Sequence, residues 1–389
     1  QFLVLDRLNP APNEPPSADE APAAASDEAP GLREGDAPQV GGSEAPTTAG
    51  GSLDRETALG LSERVEIRTP ALSGSIALTG ARFDDLQLLR YDTEVDSDIP
   101  VTLLTPREGP GGHYVVNGWA GGAGAPDGMP GVNTPWRLAE GDALTPQSPI
   151  VLEHRAGDLV FRRTITVDED YLFTVSDQVT NEGAEPVAIA RYGQVRQHGL
   201  PDNLTNFFIL HEGPIGVVGG ELTDRKYNAL ENDGVVTREG QGGWMGITSK
   251  YWLAAAAPAG DPAITGQFRT LPRDGVTVYE SNYIRQAETV APGATLESQA
   301  YVYAGSKSVG LLQRYQEEYG VQRLDMAMDW GMFWFLTRPF FFLIDMFNGW
   351  LGNFGLAIML LTVLIKAALF PLNNRAFASM AKMKAVAPK

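Results

Sequence analysis

The feature that most restricts this chain is a run of twenty residues between Asp345 and Lys366, MFNGWLGNFGLAIMLLTVLI, without a single formal charge. With Ala367–Phe370 the apolar stretch reaches the ~20 residues that a helix needs to cross a ~30 Å hydrocarbon core. It is too long and too rich in Leu, Ile and Met for the core helix of an ordinary soluble domain. We read residues 349–372 as a transmembrane helix. Charge divides around it: no acidic residue follows Asp345, whereas Lys366, Arg375, Lys382, Lys384 and Lys389 are basic. The whole chain carries −18, so these five cations leave −23 on the residues up to Asp345. By the positive-inside rule, residues 373–389 begin a cytoplasmic loop and the acidic part lies on the other side.

Upstream, the composition changes twice. Residues 9–53 are Pro, Ala, Gly and acidic residues with one basic residue, Arg33, and no aromatic. Such a stretch buries too little apolar surface to offset the entropy of ordering it, and reads as a disordered linker. Ahead of it, Phe2-Leu3-Val4-Leu5 is too short to span a bilayer by itself, and residues 1–8 are either a remnant foreign to the protein or the end of an N-terminal membrane anchor. Residues 54–308 have the texture of a β domain, with short alternating runs punctuated by Gly, Pro, Asn and Asp. Phe161–Val167 and Tyr171–Ser176 alternate with period two across Asp168-Glu169-Asp170, predicting a hairpin. Asn232-Asp233-Gly234 and Arg273-Asp274-Gly275 carry further turn signals. Strands at this spacing favour a large antiparallel sandwich. Helical periodicity starts only behind Ser308, as a linking helix within 309–325 whose apolar run stops at Gly320.

Between the two regions, residues 326–348 form an aromatic-dense segment containing Trp330, Trp334, Arg338 and Asp345. Arg338 and Asp345 are seven apart, hence on nearly one helical face, and Asn348 extends that stripe. An apolar helix with one polar stripe is suited to the membrane interface, rings at headgroup level. The plainer alternative is an aromatic belt at the mouth of the span. Inside the span, Lys366 is the exception, since a charge at the bilayer centre costs ~2.5–3.5 kcal/mol even on lenient insertion scales. Two readings stay open: a stem that snorkels to the headgroups past Pro371, or a polar cavity. Thr362, four residues earlier, and Asn373, seven later, put three polar groups on one face, which adds weight to the second without displacing the first.

The acidic balance argues against specific nucleic-acid binding. The absence of Cys and the presence of only four His, at 113, 154, 198 and 211, argue against a metal centre. No catalytic residue set stands out and no cofactor is expected. The Gly118–Gly131 run is broken by Trp119, Pro126 and Pro130 and opens no helix, so it is not expected to be a phosphate loop. Trp119, Trp136 and Trp244 could stack on a sugar, although core packing is the commoner fate of Trp.

The C-terminal motifs taken together, Asp329-Trp-Gly-Met-Phe-Trp-Phe, Pro339, Gly352-Asn-Phe-Gly355, Phe370-Pro371-Leu372, and Ser379-Met-Ala-Lys-Met-Lys384 with Pro388-Lys389, resemble the YidC/Oxa/Alb family of membrane protein insertases. Val65-Glu-Ile-Arg and Gly80-Ala-Arg-Phe are similar to the periplasmic domain of its Gram-negative members. The resemblance implies a mainly β periplasmic domain, an antiparallel β-supersandwich, followed by an amphipathic interfacial helix and a transmembrane α-helix. That helix would be the first of the shared spans of a multi-pass protein of the bacterial inner membrane, extending beyond Lys389. It implies an insertase and chaperone without covalent chemistry, hence not an enzyme, acting alone or with the Sec translocon. The implied partners are nascent inner-membrane proteins, the Sec translocon and its accessory subunits, the ribosome on the cytoplasmic side, and membrane lipids. Lys366 matches the family's Arg in a hydrophilic intramembrane groove, with Thr362 and Asn373 beside it; the charge is kept and the planar fork of Arg is not. A different class of function, a membrane-tethered carbohydrate-binding or carbohydrate-processing β-sandwich, would explain the β domain but neither the interfacial helix nor Lys366.

Overall fold

In the computed structural model the described residues are 53–386, apart from 95–96, 203, 205–209, 274 and 332. The anchor end (1–8), all but the last residue of the linker (9–53) and residues 387–389 lie outside them.

Two large sheets make up the β domain, one of eleven strands and one of nine. The centre of the first runs Ala263–Arg273, Val276–Arg285, Val187–His198, His113–Gly121 and Arg82–Asp92; that of the second runs Gly243–Thr248, Trp252–Pro258, Thr295–Ser306, Leu172–Asn181, Leu159–Val167 and Ile150–Ala156. Pairing is antiparallel except where Arg64–Arg68 meets Ala143–Leu144 in parallel. The period-two pattern does what it predicts: along Leu159–Val167 every second residue is buried between the sheets. The expected hairpin forms with Phe173 opposite Val167 and Asn181 opposite Leu159. Its turn is held by Asp168, whose Oδ1 accepts the N–H of Asp170 at 3.0 Å and of Leu172 at 2.9 Å.

An ionic cluster is sealed in the core. Asp177 and Arg163, on the second sheet, make a two-pronged contact at 2.7 Å each, and Trp119 Nε1 of the first sheet donates to Asp177 Oδ2 at 2.8 Å. Arg191, also of the first sheet, lies 3.7 Å from the same oxygen and donates to Val175 O across the interface at 2.9 Å. Burial pushes the Asp177 carboxyl up, but the two guanidiniums and the indole N–H outweigh it and hold it down at about 2.

Among the described residues five α-helices accompany the sheets: α1 (Arg55–Leu59), α2 (Tyr227–Asp233), α3 (Val309–Tyr319), α4 (Trp334–Leu351) and α5 (Phe354–Val386). The turn signal at Asn232-Asp233-Gly234 ends α2: Gly234 closes the helix by donating to Leu230 O at 3.2 Å. Within 309–325 the linking helix is Val309–Tyr319, stopping where expected at Gly320, which takes the left-handed conformation at φ 69°. Ser308 stands at the N-cap, yet its hydroxyl makes no capping bond. Tyr315 instead docks α3, giving its hydroxyl to Asp168, while Arg314 pairs with Asp170 at 2.5 Å.

The interfacial segment is not one helix over 326–348. A 3-10 turn, Leu324–Ala327, comes first, Gly331 takes φ 69° with its N–H on Asp329 Oδ1, and α4 begins at Trp334. The span likewise begins later and ends later than 349–372. Gly352 caps α4 in the left-handed conformation (φ 62°), and Asn353 then caps α5, its Oδ1 accepting Leu356 N–H at 3.1 Å. Past Pro371 the helix continues to Val386, so the start of the expected cytoplasmic loop, from Asn373, is helical.

Candidate functional site

At 1.5 Å per residue, the 33 residues of α5 extend ~50 Å, well beyond a ~30 Å hydrocarbon core. The part of sufficient length and hydropathy to cross a membrane is Phe354–Phe377. α4 folds back on its beginning: Phe347, Ala357 and Leu361 bury one another, with Phe340 and Ile344 packed alongside. Positions 340, 344 and 347 make one face of α4, and 357 and 361 one face of α5. The polar groups sit elsewhere. On α5, residues 362, 366 and 373 project roughly opposite the covered face, and Thr362, Lys366 and Asn373 are all exposed. Thr362 is only partly available, since its hydroxyl already donates to Ile358 O of its own helix at 2.8 Å. Lys366 enters no ion pair among the described residues. On α4, Arg338 and Asp345 likewise turn away from α5, and Asp345 is exposed.

The residues expected at the interface are divided. Trp334 opens α4, and its side chain lies outside what is described. Trp330 precedes the helix and packs its ring against Phe341 and Phe342, at 5.5 and 6.4 Å. Arg338 reaches back to Asp325 of the 3-10 turn at 3.3 Å, with its guanidinium 5.9 Å from the Trp330 ring. α4 is thereby fastened at one end to the β domain and at the other to α5.

Where α4 meets the β domain lies a cavity of about 430 Å³, a feature the sequence reading missed. Its polar lining includes His211, Asp224, Arg323, Asp325, Asp329 and Arg338. Asp329 accepts the backbone N–H of His211 at 3.0 Å, and Arg323, at φ 50°, donates to Gly220 O at 2.8 Å. The sequence signal was slight: an acidic pair, Asp325 and Asp329, just ahead of Trp330.

The tryptophans available for sugar stacking are not on the surface. Trp119, Trp136 and Trp244 are all buried, Trp136 beneath Arg163 at 4.6 Å. In the Gly-rich run, Gly118 is a packing glycine: a Cβ there would come within 2.3 Å of the Tyr192 ring. His113 is half-buried, its Nδ1 3.1 Å from Arg196 O, and desolvation of the ring pushes its pKa down to about 4.

Comparison with known proteins gives this geometry a context. A family model described as the YidC periplasmic domain matches residues 64–343, and one described as 60Kd inner membrane protein matches 346–389. Proteins named membrane protein insertase YidC are similar: that of Maricaulis maris is 45% identical over 88% of this chain, that of Rhizobium etli 42% over 86%, and that of Brucella melitensis 41% over 88%. The chain spans a little over half of those relatives, 58%, 56% and 56% of their lengths. Among solved structures, a galactose mutarotase-like protein from Lactobacillus casei matches 62% of this chain and 100% of its own at a TM-score of 0.39 and 9% identity. One from Clostridium acetobutylicum does so over 62% and 94% at 0.39 and 8%. Likeness that loose carries nothing about chemistry. The first family match takes in both sheets and ends within α4, and the second runs from there through the membrane-length helix, making the sheets the periplasmic domain of an inner-membrane protein, and the chain belongs to the YidC family.

Proposed function

We propose that this chain is the periplasmic domain and first core span of an insertase and chaperone that helps nascent inner-membrane proteins enter the bilayer, without covalent chemistry. The observation that carries the reading is the stripe of Thr362, Lys366 and Asn373 on the face of α5 that α4 leaves uncovered. A cation on such a face, within a partly hydrated cleft, lowers the cost of carrying a short acidic segment of substrate across. An opposite charge ~4 Å away gains about 4 kcal/mol at an effective dielectric of ~20, against about 1 kcal/mol in water, before desolvation is counted. The substrate helix then gains ~0.8 kcal/mol for each methylene it buries on leaving for lipid. α4 lies along the periplasmic interface with Trp330 and its phenylalanines at headgroup level and Arg338 and Asp345 towards water. The basic C-terminal end of α5 faces the cytoplasm, where ribosomes deliver substrate; the Sec translocon is the partner for larger clients.

The test is the insertion rate of one acidic-tailed substrate in proteoliposomes carrying the complete protein at equal levels. Lys366→Ala slows it about tenfold, the effect of losing one charged contact; Lys366→Arg preserves it; Lys366→Glu is slower than Ala, because repulsion replaces attraction. Equal rates for Lys, Ala and Glu overturn the groove at this residue and leave a snorkelling side chain.

A further inference from the structure

The cavity at the joint between the β domain and α4, about 430 Å³, falls in the ~300–1,000 Å³ range of small-molecule sites. Its lining carries both signs of charge. Arg323 and Arg338 face Asp224, Asp325 and Asp329, and His211 adds no charge near neutrality because burial lowers its pKa. The net lining charge is therefore −1. Some of this charge is engaged locally: Arg338 with Asp325, and Asp329 with the N–H groups of His211 and Gly331. Asp224 is different. Its side chain is 51% exposed on the edge strand Glu221–Asp224, and its carboxylate stands 3.9 Å from His211 Nδ1, beyond hydrogen-bond range. Below the charges the wall is apolar, from Ile215, Leu222, Met326 and Met328. Trp330, ahead of α4, and Arg338, near its beginning, complete the same wall.

We propose that this cavity binds the headgroup of a zwitterionic phospholipid bearing a primary ammonium, of the phosphoethanolamine type. The phosphate takes Arg323 and Arg338, the ammonium takes Asp224 and Asp329, and the glycerol and first methylenes lie on Met326, Met328 and Leu222. An anionic headgroup without an amine meets a lining of net negative charge. A trimethylammonium headgroup has the charge but no N–H to give the carboxylates. The inference rests on α4 lying at headgroup level and is independent of the Lys366 groove.

The experiment is native mass spectrometry of the chain in detergent, titrated with short-chain phosphatidylethanolamine, phosphatidylglycerol and phosphatidylcholine. The ethanolamine lipid is retained about tenfold better than either other lipid, the effect of one charged hydrogen bond. Asp224→Asn and Arg323→Asn each bring its retention down to the phosphatidylcholine level. Asn is chosen at 323 because it tolerates the left-handed backbone there, and the two positions lie on separate elements, so misfolding at one does not remove the test. Equal retention of the three lipids, or retention unchanged in both variants, overturns the proposal. Soluble glycerophosphoethanolamine competing as strongly as the lipid overturns the lipid assignment. Lys366→Ala, which slows insertion, leaves lipid retention unchanged; that contrast separates failure of this site from failure of the groove.

Discussion

Two parts of this molecule hold charge where water is scarce, and they do so in opposite ways. Between the sheets, Asp177 is enclosed with Arg163, Arg191 and the Trp119 indole, so the desolvation of each charge is met by a neighbour. On α5, Lys366 stands exposed on a helix that contains no acidic residue at all. A charge that is satisfied inside the fold fixes the fold, and here it pins one sheet to the other. A charge left unsatisfied by its own helix is available to whatever comes alongside. On the function proposed for the Lys366 face, the difference separates scaffold from working surface more sharply than the composition of either region does.

The comparison breaks most easily at Asp177. Asp177→Ala strands two buried guanidiniums and is expected to cost about 3–5 kcal/mol, read as a shifted urea midpoint of the β domain; a loss under ~1 kcal/mol would mean that the cluster is not a clamp. Next comes acid. Because the Asp177 carboxylate is held at about 2 in the fold, its contribution is complete above the unfolded value near 4 and is lost as pH falls through 2. The domain should lose about 2–3 kcal/mol from this residue across that window, and Asp177→Asn should flatten that part of the stability–pH curve. Smaller still is the Arg338–Asp325 pair at the joint, whose partners are 41% and 20% exposed: a double-mutant cycle should return at most about 1 kcal/mol. The least effect is expected from Lys366→Ala, which should leave the urea midpoint of the β domain within ~0.5 kcal/mol of the parent. A large shift there would erase the distinction between the regions.

Local physics made much of this legible in the sequence. Period-two alternation located the Leu159–Val167 hairpin, and Asp168 marked its turn; the uncharged run located the span; Gly320 marked the end of α3. Long-range meetings were not legible. Arg163, Asp177 and Arg191 lie on three successive strands, and alternation says which residues face inward without saying that a carboxylate meets two guanidiniums there. The joint cavity joins Asp224 to Arg323 and Arg338 across about a hundred residues, a closure only the folded sheet supplies. A turn signal also leaves open which element it closes: at Asn232-Asp233-Gly234 the preceding Tyr227 and Leu230, both buried, make that element a helix. The span was expected to end at 372, yet the missing N–H of Pro371 removes a single bond and the long helix runs on through it.

That continuity gives α5 the mechanics of a lever. An unbroken α-helix is stiff along its length, and Pro371 is where one rung of its ladder is absent, leaving the carbonyl of Ala367 without its helical donor. The rod therefore has a compliant joint little more than one turn beyond Lys366, with a long apolar arm on one side and a basic arm on the other. A sideways load on the basic arm is delivered as bending at this joint, so the orientation of the Lys366 face is tied to forces applied outside the bilayer. A soft loop at the same place would have let that load dissipate before reaching the membrane.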